Sequence, residues 1–459
     1  MGSKVRLLGA FLVSAGLTAT AAAPSALADP VVIDSTLLEQ LQRTIDQQQQ
    51  LIVNQSDQLN TQAETIQSLS RRVDQLEQGA AQTQALASEA QTTAAQAMDT
   101  AQKASGDAEA AAVVTSGNEK VKLAISGQVN RAVNVANDGD KTKAYFVDND
   151  VSNTRVRLEG SAAVTDATTI GSTVEVAFSP NNSYDVSQDN ESADDFIDLR
   201  KADIWARNDD YGRLMFGKGS AAADDTAEYD LSLVAGPIMY SGVADPVGGL
   251  QFFDGTALTG LTVGDAFFNF DGDRQNRVRY DTPVFGPGIQ FSASAGEDQQ
   301  YDAAVTWGGD YGDWTGVEVG PFTTLGALSI RDPNSDDVDF RLAGSFSTLH
   351  NETGLSLTLS GGMDETSDGD NPYNLYGKVG WDTSLFEIGQ TGFGLDATYS
   401  ENVSGQGDEG VSFGLAAIQL IEEYGIEFYA QIRYFDLDRD QSAGVDEIVV
   451  GTVGSRVKF

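Results

Sequence analysis

The stretch GTVGSRVKF, residues 451–459, has the alternation that decides the fold of the second half of the chain. Val457 and Phe459 fall on one side of an extended strand, whereas Arg456 and Lys458 fall on the other. Successive side chains of a strand point to opposite faces, so this stretch predicts a strand with one apolar face and one polar face.

Similar alternation recurs throughout residues 120–459. Examples, in chain order, are VKLAISGQVN, TRVRLEGSA, STVEVAFS, NRVRYDTP, LSLTLSGG, NLYGKVGW, FGLDATYS and EFYAQIRYF. Tight turns such as VTDAT and NDDYG alternate with long acidic loops. About sixteen strands of roughly ten residues, apolar outside and polar inside, are typical of an outer-membrane barrel. The predicted fold class is therefore an all-β transmembrane antiparallel barrel, closed because lipid tolerates no open strand edge; a secreted soluble β-sandwich or β-helix is the alternative.

The first residues have the pattern of an export signal. Lys4 and Arg6 precede an uncharged apolar run at residues 7–23, and the small-residue pattern ALA follows at residues 26–28. This pattern predicts a signal peptide over residues 1–28, with an N-terminal membrane anchor as the alternative. No other apolar stretch reaches the ~18 residues that a transmembrane helix needs.

The composition argues against several classes of function. The chain has no cysteine and therefore no disulfide. Its single histidine, His350, lies in the polar run TLHNETG, typical of a surface turn, which argues against a histidine-assisted nucleophile and against a site with several histidines. We therefore expect no enzyme, no metal site and no cofactor.

A net charge of −40 makes nucleic acid a poor partner. Acidic runs such as SQDNESADD and DETSDGD do not match a calcium-binding EF-hand loop and are interpreted as solvated loops.

A heptad pattern at residues 29–78 predicts an α-helical coiled coil, and the alanine-rich residues 79–119 continue its register as a coil and linker. The seam is polar at three successive d positions, Gln48, Gln55 and Gln62. Amides in a seam reduce stability but specify register and strand number. The few charges at flanking positions favour self-association, while the pattern leaves two and three strands open.

Several longer stretches resemble a known family. They are SGQVNRAV, YFVDNDVSNTRVRLEGSA, DLRKADIWARNDDYGRLMFGKGSAAADDTAEYDLS and DGDRQNRVRYDTPVFG, together with the terminal Phe459. Residues 120–459 are similar to the Gram-negative general porin superfamily, in particular the alphaproteobacterial porins. A coiled coil ahead of the barrel departs from the plain family and resembles the DcaP-like porins. The resemblance implies a homotrimer in outer-membrane lipid that allows passive diffusion of ions and small hydrophilic solutes, and it favours three strands for the coil because the symmetries should match.

Alternation assigns the charged side chains of two strands to the lumen. Arg155, Arg157 and Glu159 alternate with apolar residues, and so do Arg277 and Arg279. These side chains are expected to form a basic wall of the pore. The alternative is that the arginines pair with neighbouring glutamates and brace the barrel.

The resemblance implies an inward constriction loop near residues 220–245, with acidic residues that face the basic wall. They are Asp224, Asp225, Glu228 and Asp230. A basic wall opposite an acidic loop would create a transverse field across the constriction. An outer loop that never enters the pore is the alternative, and residues 231–270 are interpreted as the rest of the same loop.

An even number of strands puts both ends of the barrel on the periplasmic side, so the coil is expected to extend into the periplasm.

The predicted function is a passive channel of the cell outer membrane. The alternative is an envelope tether, with the barrel as the anchor and the coil in contact with peptidoglycan. Several aromatic residues lie near strand ends and are expected to join the interfacial girdle, with a surface for stacking sugars as the alternative; they are Tyr301, Trp307, Tyr373, Tyr376 and Tyr399. Acidic loops favour cations at the mouth and arginines favour anions inside, which leaves the ion preference open.

Overall fold

The structure is a computed structural model, and it describes residues 117–193, 197–310, 313–335, 337–367 and 369–459. The predicted signal peptide, the predicted coiled coil and its glutamines Gln48, Gln55 and Gln62 lie outside the described residues. They stay predictions. Among the described residues, no helix is long and apolar enough to cross a membrane.

The described chain forms an antiparallel barrel of sixteen strands. Eighteen hydrogen-bonded segments build it, and two of the strands consist of two segments each. The strands are β1 Lys122–Asn137, β2 Thr142–Asp148 with Arg155–Thr165, β3 Thr168–Phe178, β4 Ile197–Asn208, β5 Gly212–Ser220, β6 Arg274–Asp281, β7 Ile289–Gly296, β8 Tyr301–Trp307 with Val317–Val319, β9 Phe322–Asp332, β10 Val338–His350, β11 Leu355–Thr366, β12 Tyr373–Phe386, β13 Gly389–Glu401, β14 Glu409–Ile421, β15 Ile426–Asp438 and β16 Ile448–Lys458.

The barrel closes where the first strand pairs with the last. One edge of β1 pairs with β16, starting with Gln128 opposite Lys458, and the other edge pairs with both segments of β2. Gly127 and Phe459 exchange two backbone hydrogen bonds, of 2.9 and 3.0 Å, at the end of this seam. Each strand therefore has two partners, as a barrel in lipid requires.

The outer surface of the barrel is apolar, as the alternation predicts. In β16, Val453 and Val457 are 58% and 40% exposed, whereas Thr452 and Arg456 are only 2% and 5% exposed because they point into the barrel. The same outward band continues around the other strands, with Ile204, Phe216, Val278, Phe291, Leu328, Leu359, Leu375, Leu395, Phe413 and Ile432 among its members. An apolar outer band of this kind matches the hydrocarbon of a bilayer.

The acidic connections lie at one end of the barrel, called here the loop rim, and the chain ends of the barrel lie at the other. Two connections at the loop rim are long, residues 179–196 and 221–273. The remaining six connections at this rim have between four and nine residues. The prediction of long outer loops therefore holds for two connections, and the other acidic runs form short turns.

Residues 221–273, called here the inner loop, fold into the barrel instead of extending from the rim. Inward side chains of strands far apart in the sheet hydrogen-bond to the backbone of this loop. Ser347 on β10 accepts from the N–H of Leu231 at 3.0 Å, and Ser400 on β13 donates to the carbonyl of Ala266 at 2.8 Å. The inner loop therefore runs along the inside of the wall.

The interior beneath the inner loop is apolar, which differs from the polar lumen predicted by alternation. Buried side chains of the loop pack against inward side chains of β15 and β16; they include Val234, Ile238, Phe252, Val263, Phe267, Phe435, Leu437, Ile448 and Val450. The loop excludes water from this part of the wall. Each Å² of apolar surface buried between the loop and the wall stabilises the packed loop by about 25 cal/mol.

One of the predicted girdle residues lies inside the barrel. Tyr376 is 3% exposed, and its hydroxyl donates to Asp396 at 3.2 Å. Tyr373 and Tyr399 are partly exposed near the loop rim, and the hydroxyls of both donate to Glu401. Tyr376 is therefore an interior residue, because it falls on the inward phase of β12.

Candidate functional site: the passage beside the inner loop

The inner loop leaves one side of the lumen open. A cavity of about 780 Å³ lies between the loop and the wall formed by β2 to β6. Its basic lining residues are Arg155, Arg157, Arg200, Lys201, Arg207, Arg213, Arg274, Arg277, Arg279 and Lys458, and its acidic lining residues are Glu159, Glu175, Asp203, Asp224, Asp225 and Asp281. We call this cavity the passage.

The predicted side chains Arg155, Arg157 and Glu159 all line the passage, as does Glu175 on the neighbouring strand β3. Glu175 is 1% exposed and accepts hydrogen bonds from Arg157 at 2.6 Å and from Arg200 at 2.8 Å. Arg155 lies 3.9 Å from the same carboxylate. These arginines therefore both face the lumen and brace the wall.

A β-bulge places two adjacent basic residues of β4 on the inner face. Glu175 pairs with Lys201, whereas Val176 pairs with Leu199, so Arg200 is the extra residue of the bulge. In a regular strand, two adjacent side chains point to opposite faces, so either Arg200 or Lys201 would face lipid. The bulge turns both side chains towards the passage. The adjacent charges in DLRKAD were the sequence signal for this arrangement, because a regular strand would expose one of them to hydrocarbon.

The two predicted arginines of β6 line the passage but are engaged in structural contacts. Arg277 is 4% exposed, lies 2.8 Å from Asp203 and donates to two backbone carbonyls of β5. Arg279 pairs with Asp281 at 2.7 Å and donates to the carbonyl of Ala221 at 2.7 Å. Arg279 therefore holds the first residue of the inner loop against the wall.

Arg274 connects the loop to the wall. Its guanidinium lies 3.6 Å from the Asp224 carboxylate and 3.8 Å from the Asp225 carboxylate. Alternation places Arg274 on the face opposite Arg277, that is, on the outer face. For this reason the sequence did not predict a contact between Arg274 and the loop. Arg274 is the first residue of β6, where the end of the strand leaves the side chain able to reach the loop.

The four predicted loop acids separate into two groups. Asp224 and Asp225 line the passage, whereas Glu228 and Asp230 do not. Glu228 accepts from Asn269, within the loop, at 3.2 Å, and burial next to acidic neighbours raises the pKa of its carboxyl. Asp230 lies 2.5 Å from Lys378 on β12, on the other side of the lumen. Alternation does not apply to a loop, so only the tertiary structure separates these carboxylates.

One group of carboxylates has a spacing that suits a metal ion. Oxygen atoms of Asp224, Asp225 and Asp271 lie within 4.8 Å of one another. Arg274 already faces two of these carboxylates, and Asp271 accepts the N–H groups of Asp225 and Ala227 at 2.6 and 2.8 Å. The Arg274 guanidinium already supplies a positive charge beside these carboxylates, so we interpret the group as an internal brace of the loop and assign no cation to it.

Comparison with known proteins adds similarity at the level of the fold. No family model and no curated protein matches the chain. The anion-selective porin from Comamonas acidovorans is 13% identical, covers 74% of this chain and 100% of its own, and has a TM-score of 0.49. The outer membrane channel DcaP of Acinetobacter baumannii is 14% identical, covers 75% of this chain and 99% of its own, and has a TM-score of 0.47.

A third structure is OmpF of Salmonella typhi in complex with daunomycin. It is 13% identical, covers 74% of this chain and 98% of its own, and has a TM-score of 0.48. The barrel itself is defined by the closed ring of strand pairs described above, independently of these similarities.

Proposed function

We propose that the protein is an outer-membrane channel through which ions and small hydrophilic solutes diffuse passively. The observation that carries this proposal is a charged passage of about 780 Å³ inside a closed barrel with an apolar outer surface. Side chains held by ion pairs around a water-filled space can select solutes by size and charge.

The proposed constriction lies between Arg155 and Arg157 on the wall and Asp224 and Asp225 on the inner loop. All four residues line the passage. Opposite charges on opposite sides of a narrow space create a transverse field, which orients dipolar solutes and water. Glu228 and Asp230 face elsewhere, so the proposed field is weaker on the loop side than the sequence suggests.

Single-channel recording tests the proposal. Purified full-length protein in a planar bilayer is expected to give stable conductance steps in KCl. A trimer of open channels is expected to insert as steps grouped in threes. A folded, heat-modifiable protein that inserts without conductance would contradict the proposal, because a closed lumen cannot serve passive diffusion.

A charged residue on the outer surface supports association between copies of the chain. Arg131 lies between Val129 and Val133 on the outward face of β1 and is 43% exposed. It lies 3.4 Å from the buried carboxylate of Asp148 and donates to the carbonyl of Pro180 at 2.8 Å. An arginine facing lipid costs about 2–4 kcal/mol at mid-membrane. Contact with another copy of the chain would remove this side chain from lipid.

Substitution of Arg131 tests this interface. Arg131→Ala leaves Asp148 without its cation, so we expect the oligomer to dissociate at a lower temperature while single-channel conductance persists. Dissociation is measured on gels after stepwise heating. Lys141→Ala at the loop rim is the matched control, because Lys141 is 78% exposed. Equal dissociation temperatures for the two variants would place the subunit interface elsewhere.

A further inference from the structure

We infer that the passage selects small oxyanions, carboxylates and phosphates, and that the basic residues around Glu175 perform this selection. The inference rests on the proposed channel function. We call Arg155, Arg157, Arg200 and Lys201, together with Glu175, the Glu175 cluster.

The passage has a charge opposite to that of the whole molecule. Ten basic and six acidic side chains line it, whereas the whole chain carries a net charge of −40. The basic excess is concentrated on one wall, since the Glu175 cluster accounts for three of the four positive charges in excess. A positive wall inside an acidic protein is a specific arrangement, because the average surface of this chain would repel anions.

Glu175 neutralises the cluster only in part. A single carboxylate, 1% exposed, faces four cationic side chains, and it contacts Arg157, Arg200 and Arg155 at 2.5, 2.8 and 3.9 Å. Three positive charges remain in excess. Arg157 is 43% exposed, so its guanidinium presents part of that excess to the passage.

The β-bulge at Arg200 and Lys201 supports a selective role. In a regular strand every second side chain points inward. The bulge adds a second inward cation directly beside the first. Bulges that redirect a side chain are common next to functional sites.

The chemistry of the cluster indicates oxyanions. Guanidinium groups present parallel N–H donors that match the two oxygens of a carboxylate or phosphate. Arg155 also donates to the Ser152 hydroxyl at 2.6 Å, and Lys201 is attracted by Asp225 as well as by Glu175. Arg157 is 43% exposed, so donors of its guanidinium remain for a solute. A weak site with several donors suits a channel, because a solute must bind readily enough to enter and loosely enough to leave.

The acidic loop rim does not reverse this preference. Its carboxylates are largely exposed to solvent, and salt screens exposed charges over about 8 Å at physiological ionic strength. The cluster lies inside the barrel, where screening by salt is weaker than at the rim. We therefore expect the inner wall, rather than the rim, to set the ion preference.

Reversal potentials of the full-length protein under a KCl gradient test the inference. We expect chloride to permeate better than potassium. Arg157→Gln/Lys201→Gln should reduce the chloride-to-potassium permeability ratio several-fold, and Glu159→Gln should increase it. Lys141→Gln at the loop rim removes the same type of charge from an exposed site and should leave the ratio nearly unchanged. Heat-modifiability on gels confirms that each variant is folded.

The possible outcomes separate this inference from the proposed function. A protein without conductance overturns both. A conducting but potassium-selective protein, or a double variant with an unchanged ratio, overturns the inference and leaves the channel in place. Opposite shifts in the double variant and in Glu159→Gln support it.

Two probes test the class of solute. Acetate and inorganic phosphate are added separately to a chloride solution, and each is expected to reduce the chloride current less in Arg157→Gln/Lys201→Gln than in the unchanged protein. A reduction by only one probe identifies carboxylates or phosphates as the preferred class. No reduction by either probe would overturn the assignment to oxyanions.

Discussion

Shortening the inner loop is expected to raise the single-channel conductance several-fold. In this variant a short glycine-serine linker replaces residues 231–268, while the acidic residues that line the passage remain. Asn269, directly after the deleted segment, donates a hydrogen bond of 3.2 Å to Glu228, three residues before it, so a short linker can close the gap. The deleted segment occupies the lumen beside β10 to β16 and β1, and its removal widens the path for ions.

The deletion also uncovers apolar side chains of the wall, so it is combined with Phe435→Ser and Leu437→Thr. Both residues point inward and pack in the apolar core beneath the loop. A matched control carries the two polar substitutions with the loop intact. Planar-bilayer conductance of the two proteins is compared, and equal values would mean that the loop does not limit the path of ions.

The second large effect, a fall in the free energy of unfolding, is expected for Lys378→Met. Lys378 is fully buried, lies 2.5 Å from Asp230 of the inner loop and donates to the carbonyl of Met239 at 2.7 Å. The substitution leaves the buried carboxylate of Asp230 without its cation. An unpaired buried charge typically costs about 3–5 kcal/mol, so we expect the free energy of unfolding to fall by about this amount. Urea unfolding in lipid vesicles, followed by intrinsic fluorescence, measures the free energy of unfolding.

Two further variants make this result specific. Lys378→Met/Asp230→Asn removes both charges and is expected to recover most of the loss, since no uncompensated charge remains. Lys218→Met breaks an exposed ion pair with Asp198, of 3.9 Å, and should cost less than about 1 kcal/mol. The same loss of stability in Lys378→Met and Lys218→Met would show that the buried pair does not hold the loop in place.

These buried contacts define the inner loop as a fixed part of the wall. Arg279 holds its start at Ala221, Lys378 holds Asp230, and Arg456 donates to the carbonyl of Gly236 at 2.8 Å. Because the anchors are distributed along the loop, its position is determined at several points. The width of the passage therefore follows from the packing of the loop against β9 to β16.

Local alternation was sufficient to predict the strands and the direction of several charges. Arg155, Arg157 and Glu159 face the passage as their spacing from outward Leu158 predicts, and Val278 and Tyr280 face outward. The pleat of a strand imposes this two-residue period regardless of the rest of the molecule. The closed barrel follows from the same pattern because an apolar outer face requires that every strand edge be paired.

Alternation fails where the backbone leaves the regular pleat. The bulge at Arg200 shifts the phase of β4 and brings Lys201 to the same face, and the end of β6 allows Arg274 to reach the loop. The apolar residues Phe435 and Leu437 share the inward phase of Arg433 on β15, and the inner loop covers them and keeps them from water. Their burial depends on a segment far away in sequence, so no local pattern predicts it.

The sequence by itself determined the barrel, the strands that cross it and a basic inner wall, because each follows from the side-chain period of a single strand. Only the tertiary structure decided which acids face that wall. Asp224 and Asp225 line the passage, whereas Asp230 pairs with Lys378 on the far side. The path of the inner loop is set by contacts with many strands at once, and charges on such a loop acquire their roles only when the whole barrel has formed.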